Sequence, residues 1–200
     1  MRSKLTGWFT TLITLFAISL PSQATNHSNK IEVIEFFSYG CRYCYDLQPT
    51  IDKWSKKLPS DVVFKRIPVS FGRFQWASLA KLYYVLETTG DLARLDRAIF
   101  EALHEKGLKL YDDKSVVDWV TLRGNDSQKF AATFNSYGVA YRVKRGDQLA
   151  QILGIHAVPT LVIDGRYLVS RDGASDYTDM LERAEEIINK LRAERSISGQ

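Results

Sequence analysis

Cys41 and Cys44 are the chain's two cysteines, and they stand as Cys-Arg-Tyr-Cys where an apolar run, 31–37, gives way to a helical pattern. A disulfide between residues three apart closes so small a loop that it removes little entropy from the unfolded chain. Its value must be chemical, as a dithiol made and broken by exchange. A strand that delivers Cys41 to a helix N-terminus puts its sulfur where unpaired N–H groups and the helix dipole favour an anion. The thiolate is that anion, and it is also the reactive form. Two readings compete. Structural zinc takes four ligands, whereas the chain offers two thiols plus His27, His104 and His156 scattered far apart, so no metal is expected. The other is an inert buried pair, against which stands Gly40 beside Cys41 at a helix start.

Arg2 and Lys4, the apolar stretch 8–20 and Ser22-Gln23-Ala24 together match a secretory signal peptide cleaved after Ala24. The stretch is shorter than the roughly 20 residues of a spanning helix, and an uncleaved anchor is the alternative. Cleavage leaves residues 25–200 as one globular domain, exported to an oxidising compartment, the periplasm, where thiols are not held reduced. Without Arg2 and Lys4, the 27 basic residues exceed the 23 acidic ones by only two. That excludes a case for nucleic acid or a membrane surface as ligand. Residues 25–30 read as a loose polar arm and 195–200 as a frayed end.

The elements that must position the cysteines follow from periodicity. Residues 31–37 read as a strand buried on both faces. A helix from about 41 carries Leu47, Ile51, Trp54 and Leu58 on one stripe, and Pro49 inside it predicts a kink that costs the Tyr45 carbonyl its partner. A strand at 62–68 completes a βαβ unit. From about 71 to 153 the pattern is helical. Trp76, Leu79, Ala80, Tyr83 and Leu86 form one stripe, closed at Thr89-Gly90, and Leu92, Leu95, Ile99 and Leu103 form another. Further helices are expected at 115–122, 126–136 and 139–153, with Asn125, Asp126 and Gly138 as punctuation. The aromatics Trp76, Tyr83, Tyr84, Trp119, Phe130 and Phe134 are expected in the core. Strands at 158–163 and 166–170 flank Asp164-Gly165, a two-residue type I′ hairpin signal, and a last helix, 176–194, buries Tyr177, Met180, Leu181, Ala184, Ile187, Ile188 and Leu191. This order gives an α/β fold with a small mixed sheet.

Glu35-Phe-Phe-Ser-Tyr-Gly-Cys-Arg-Tyr-Cys44, with Val158-Pro159-Thr160 far downstream, resembles the thioredoxin superfamily and within it the DsbA family of exported thiol-disulfide oxidoreductases. The resemblance spans 25–200 and implies a thioredoxin-like fold with an inserted helical subdomain. It implies that Cys41 is the nucleophile, Cys44 its buried partner, Pro159 a cis-proline facing the disulfide, and Glu35 a buried acid behind the site. No cofactor is implied. Read on its own, Glu35 is either a solvated strand-end acid or, among Ile34, Phe36 and Phe37, a buried group that relays protons to Cys44. A cis bond at Pro159 would present the Val158 backbone to an extended substrate. His156 reads as incidental and His104 as a polar helix residue.

The chain departs from the family between the cysteines, where Pro-His is usual and Arg42-Tyr43 stands here. The proline pre-shaped for a first helical turn is lost, and so is an imidazolium beside the thiolate. Tyr43 offers at most a hydrogen bond. Arg42 either restores a positive charge or points into solvent. The expected function is a monomeric dithiol oxidase acting on reduced, unfolded exported proteins, reoxidised by a quinone-linked membrane oxidase of the DsbB type. A reductase or isomerase of the same fold, and a non-catalytic peptide-binding chaperone using the face around Phe74 and Trp76, are the alternatives.

Overall fold

The computed structural model describes residues 30–172 and 174–198, so the signal-peptide reading of 1–24 lies outside the described residues. Strand β1 (Ile31–Phe37) is followed by α1 (Arg42–Ser55) and β2 (Val62–Pro68). Then come α2 (Phe74–Thr89), α3 (Leu92–His104), α4 (Asp113–Thr121), α5 (Ser127–Phe134) and α6 (Tyr137–Ile152). The chain ends in β3 (Thr160–Ile163), β4 (Tyr167–Ser170) and α7 (Tyr177–Ser198). The sheet order is β2-β1-β3-β4; β1 runs parallel to β2 and antiparallel to β3, and β3 runs antiparallel to β4. Five helices separate β2 from β3, as the helical period of that stretch implied.

Strand alternation sorts β1 between two cores. Ile31 and Val33 face Leu47, Ile51 and Trp54 of α1 and Met180, Leu181, Ala184, Ile188 and Leu191 of α7. Ile34 and Phe36 face the helical layer through Leu79, Leu82, Leu86, Ile99 and Phe134. The first of these cores is the one in which the sequence stripes of α1 and α7 both recur. α2 is buried on nearly every side, from Ser78 through Leu86, because the other helices pack around it. Its end is set by Gly90, whose φ of +80° lets Asp91 N–H reach the Leu86 carbonyl.

Several boundaries differ from those read off the sequence, and the hydrogen bonds say why. Asp112 caps α4 in a reciprocal pair with Ser115, so the helix begins two residues before 115. Ser136 caps α6 by accepting from Val139 N–H, which brings Gly138 inside the first turn rather than leaving it as punctuation. α1 carries Pro49 inside it and ends at Ser55, short of Leu58 on the expected stripe. β3 starts at Thr160 and not at 158, because Pro159 has no N–H to give a ladder; the Val158–Pro159 bond is cis. Asp164 and Gly165 both have positive φ, as a type I′ turn requires, yet the register pairs Ile163 with Tyr167 and leaves Arg166 outside the ladder as a third loop residue. The expected fraying from 195 is also corrected, since α7 continues to Ser198 and Arg195 donates to Asp164 at 2.5 Å.

Candidate active site

Past the end of β1, Cys41 N–H donates to the Ser38 carbonyl at 3.0 Å and Gly40 N–H to Ser38 Oγ at 3.2 Å. This tight turn makes Cys41 the N-cap of α1, with extended backbone (φ −93°, ψ 119°). Cys44 lies one turn in and is 1% exposed, while Cys41 is 8% exposed; both are free thiols. The β1–β3 register places Phe36 opposite Thr160, so the loop just before Thr160 must meet the turn just after Phe37. The contact is direct: Cys41 Sγ donates to the Val158 carbonyl at 3.3 Å, beside cis-Pro159. Residues 117 positions apart are thus joined by strand pairing.

The two thiols are set apart by their surroundings. Cys41 is lowered from 9.0 to about 7, first by a hydrogen bond from the Cys44 thiol, against the cost of burial, then by the N–H groups of Cys44 and Tyr43, against the Asp46 carboxylate. Cys44 is pushed well above the ordinary thiol range, chiefly by burial. Neither intervening side chain produces the asymmetry. The Arg42 side chain is 63% exposed, pairs with Asp46 at 3.0 Å and lies 5.1 Å from the Tyr45 ring, so the solvent-facing alternative for Arg42 is the one observed. Tyr43 contributes its backbone N–H rather than its hydroxyl, and its ring, 53% exposed, lies 4.8 Å under the Arg171 guanidinium.

Behind the cysteines is a buried polar network that sequence reading saw only at one end. Glu35 is 1% exposed, and its carboxylate accepts from Arg66 Nε at 2.8 Å. Arg66 Nη1 donates to both Asp96 oxygens at 2.9 and 2.8 Å, and the Tyr39 hydroxyl donates to the same carboxylate. The strand register pairs Glu35 with Arg66 directly, which is why the two meet. Burial raises the Glu35 carboxyl, and Arg66 opposes that rise. Arg66 stays charged: against its own burial, the carboxylates of Glu35 and Asp96 raise it further. His104 donates from Nε2 to the Tyr39 carbonyl at 2.7 Å and stacks on Tyr45, so this helix-end histidine braces the turn before Cys41. His156 is exposed.

Trp76 is only partly buried, because its indole lies over Gly40; a Cβ there would come within 2.5 Å of Trp76 Nε1. Tyr83, Tyr84, Trp119, Phe130 and Phe134 are buried as expected. Gly40→Ala should therefore cost about 1–3 kcal/mol through overpacking and change the indole's environment. Urea unfolding and tryptophan emission check it, and an unchanged protein would show that the indole moves freely.

A DSBA-like thioredoxin domain matches residues 32–184. The chain belongs to that family. Among curated relatives, the thiol:disulfide interchange protein DsbA of Pseudomonas syringae pv. tomato is 38% identical over 164 residues, covering 82% of this chain and 76% of the relative. The DsbA of Bordetella parapertussis is 34% identical over 173 residues, covering 86% and 82%. Among solved structures, Pseudomonas aeruginosa DsbA superposes with a TM-score of 0.79 at 34% identity over 92% of each chain. This DsbA-family chain is thus a thiol-disulfide oxidoreductase with the thioredoxin-like fold that its motif implied.

Proposed function

We propose that the chain oxidises dithiols of exported proteins through a Cys41–Cys44 disulfide. The observation that carries this reading is the asymmetry of the pair, with Cys41 at the helix start near 7 and facing Val158–Pro159, and Cys44 buried with its thiol raised. A substrate thiolate attacks Cys41 Sγ, the S–S bond breaks, and its electron pair leaves on Cys44. Cys44 then takes a proton, since burial disfavours its anion. Glu35, whose carboxyl is raised by burial against the pull of Arg66, is the group assigned to supply it. A second substrate thiolate attacks the substrate sulfur of the mixed disulfide and releases Cys41 as thiolate. The substrate loses two electrons and two protons, and the enzyme becomes the dithiol. Val158 lends its backbone to an extended substrate, and cis-Pro159 fixes that backbone against Cys41.

Residues 1–24 act as the export signal and the mature chain works in the periplasm. Its dithiol is reoxidised by a quinone-linked membrane partner of the DsbB type. Among the described residues no helix is long and apolar enough to cross a membrane. The test is stoichiometric transfer: oxidised chain mixed with a reduced, unfolded protein should leave disulfides in the substrate and two free thiols in the chain. Reduction of a disulfide-bonded substrate by the dithiol form, with no transfer in the other direction, would favour the reductase.

The Cys41 value also dictates a pH dependence. A depressed thiol stabilises the folded dithiol form above its pKa, and this stabilisation fades as pH falls through about 7. Reduction takes up two protons below that point and one above it. The potential on an absolute scale should therefore fall by about 59 mV per pH unit below pH 7 and about 30 mV per unit above it, so that measured against glutathione, itself a two-proton couple, it holds level below pH 7 and rises by about 30 mV per unit above it. A single slope of about 59 mV from pH 6 to 8.5 would mean that Cys41 titrates as an ordinary thiol.

A further inference from the structure

Two arginines, Arg73 and Arg171, flank the cysteines. Strands β1, β2 and β4 all run in one direction, so the residues just past their ends, including Cys41, Arg73 and Arg171, share one rim of the sheet. β2 lies on one side of β1, while β4 lies beyond β3 on the other, which puts the cations on opposite sides of Cys41. Arg171 is held between rings, 4.8 Å from Tyr43 and 5.5 Å from Tyr177. Arg73 lies 4.5 Å from the Trp76 ring, and that indole covers Gly40. Both side chains are exposed, and among the described residues neither is in an ion pair. Stacking on aromatic faces fixes where each guanidinium lies.

Between Tyr43, Val158, Pro159, Ser170 and Arg171 is an open depression of about 390 Å³, into which a chain passing over Cys41 would extend. Asp172 also lines it, and Asp46, paired with Arg42, stands near Cys41. We propose that Arg171 and Arg73 are specificity residues that favour substrate segments with acidic side chains on either side of the reacting cysteine. The proposal rests on the oxidase reading above. Each cation is placed to pair with a carboxylate without touching the exchanging sulfurs.

The test uses three peptide dithiols that differ only in the residues flanking each cysteine: Asp, Asn or Lys. Oxidation by the disulfide form is measured as kcat/KM, normalised to the rate at which a small-molecule disulfide oxidises the same peptide. The normalisation removes the effect of flanking charge on the peptide thiol itself. At low ionic strength the order should be Asp over Asn over Lys, with about 3- to 5-fold per step, a range fitting partly exposed pairs. The preference should shrink at 0.5 M salt, by screening of roughly the kind expected above 0.1 M. Arg73→Gln with Arg171→Gln should bring the ratios to about 1, and Arg73→Glu with Arg171→Glu should reverse the order, which a merely misfolded variant would not do. Equal normalised rates with the unaltered protein, or an order that survives both double variants, would overturn the proposal. Failure to oxidise any of the three peptides would instead overturn the oxidase reading.

Discussion

Cys41→Ser should reduce dithiol oxidation to the uncatalysed background, whereas Cys44→Ser should accumulate mixed disulfides with substrate. The asymmetry follows from which sulfur can be reached. Cys41 caps α1 opposite Val158, and Cys44 lies a turn deeper with 1% of its surface exposed. In the Cys44→Ser protein a disulfide between Cys41 and substrate has no internal thiol to resolve it, so it persists. Non-reducing gels of the two variants after incubation with reduced, unfolded protein check this, with the high-mass bands collapsing on addition of reductant. Bands from Cys41→Ser and none from Cys44→Ser would exchange the two roles.

Arg66→Met should destabilise the protein by about 3–5 kcal/mol, because it leaves buried carboxylates without their cation. Arg66 holds Glu35 at 2.8 Å and Asp96 through two further bonds, and its guanidinium also lies 3.9 Å from the Phe37 ring. Methionine replaces the stem but not the charge. Urea unfolding with an unchanged m-value gives the comparison. The triple variant Glu35→Leu, Arg66→Met and Asp96→Leu should recover much of the loss, since no buried charge then remains unpaired. A loss below about 1 kcal/mol in Arg66→Met would mean that water reaches the network. The same substitution removes what opposes the rise of the Glu35 carboxyl, so proton delivery to Cys44 should extend to higher pH.

Elements whose signals are local were legible in the sequence. The α7 stripe from Tyr177 to Leu191 needed only helical periodicity, and five of its seven residues are buried in the core shared with α1 and the sheet, while Tyr177 and Ile187 are partly buried against it. The cysteine turn was legible for the same reason, because one apolar strand followed by a helical pattern fixes a helix start between them. Boundaries moved where a cap outweighs apolar periodicity, as at Asp112 and Ser136. The network beneath the site was not legible at Arg66, Asp96 and Tyr39, which lie on β2, on α3 and in the turn after β1. A signal for it existed in Arg66 itself, a charge inside the strand segment Phe64-Lys-Arg-Ile67, beside a parallel strand carrying an acid at Glu35. Arg42 stands four residues before Asp46 on a helix, a spacing that gives it a carboxylate partner of its own. The Arg171 stack with Tyr43 could not be read at all, since it depends on where a hairpin end comes to lie against a helix.

In the proposed exchange Cys41 carries the thiolate while Cys44 stays protonated behind it. Iodoacetamide alkylation of the reduced protein from pH 5 to 9, with each site assigned by mass spectrometry, tests it most directly. Labelling should be confined to Cys41, with a rate that rises to a plateau around a midpoint of about 7. Faster labelling of Cys44, or a Cys41 midpoint at the roughly 8.5 of a free thiol, would contradict it.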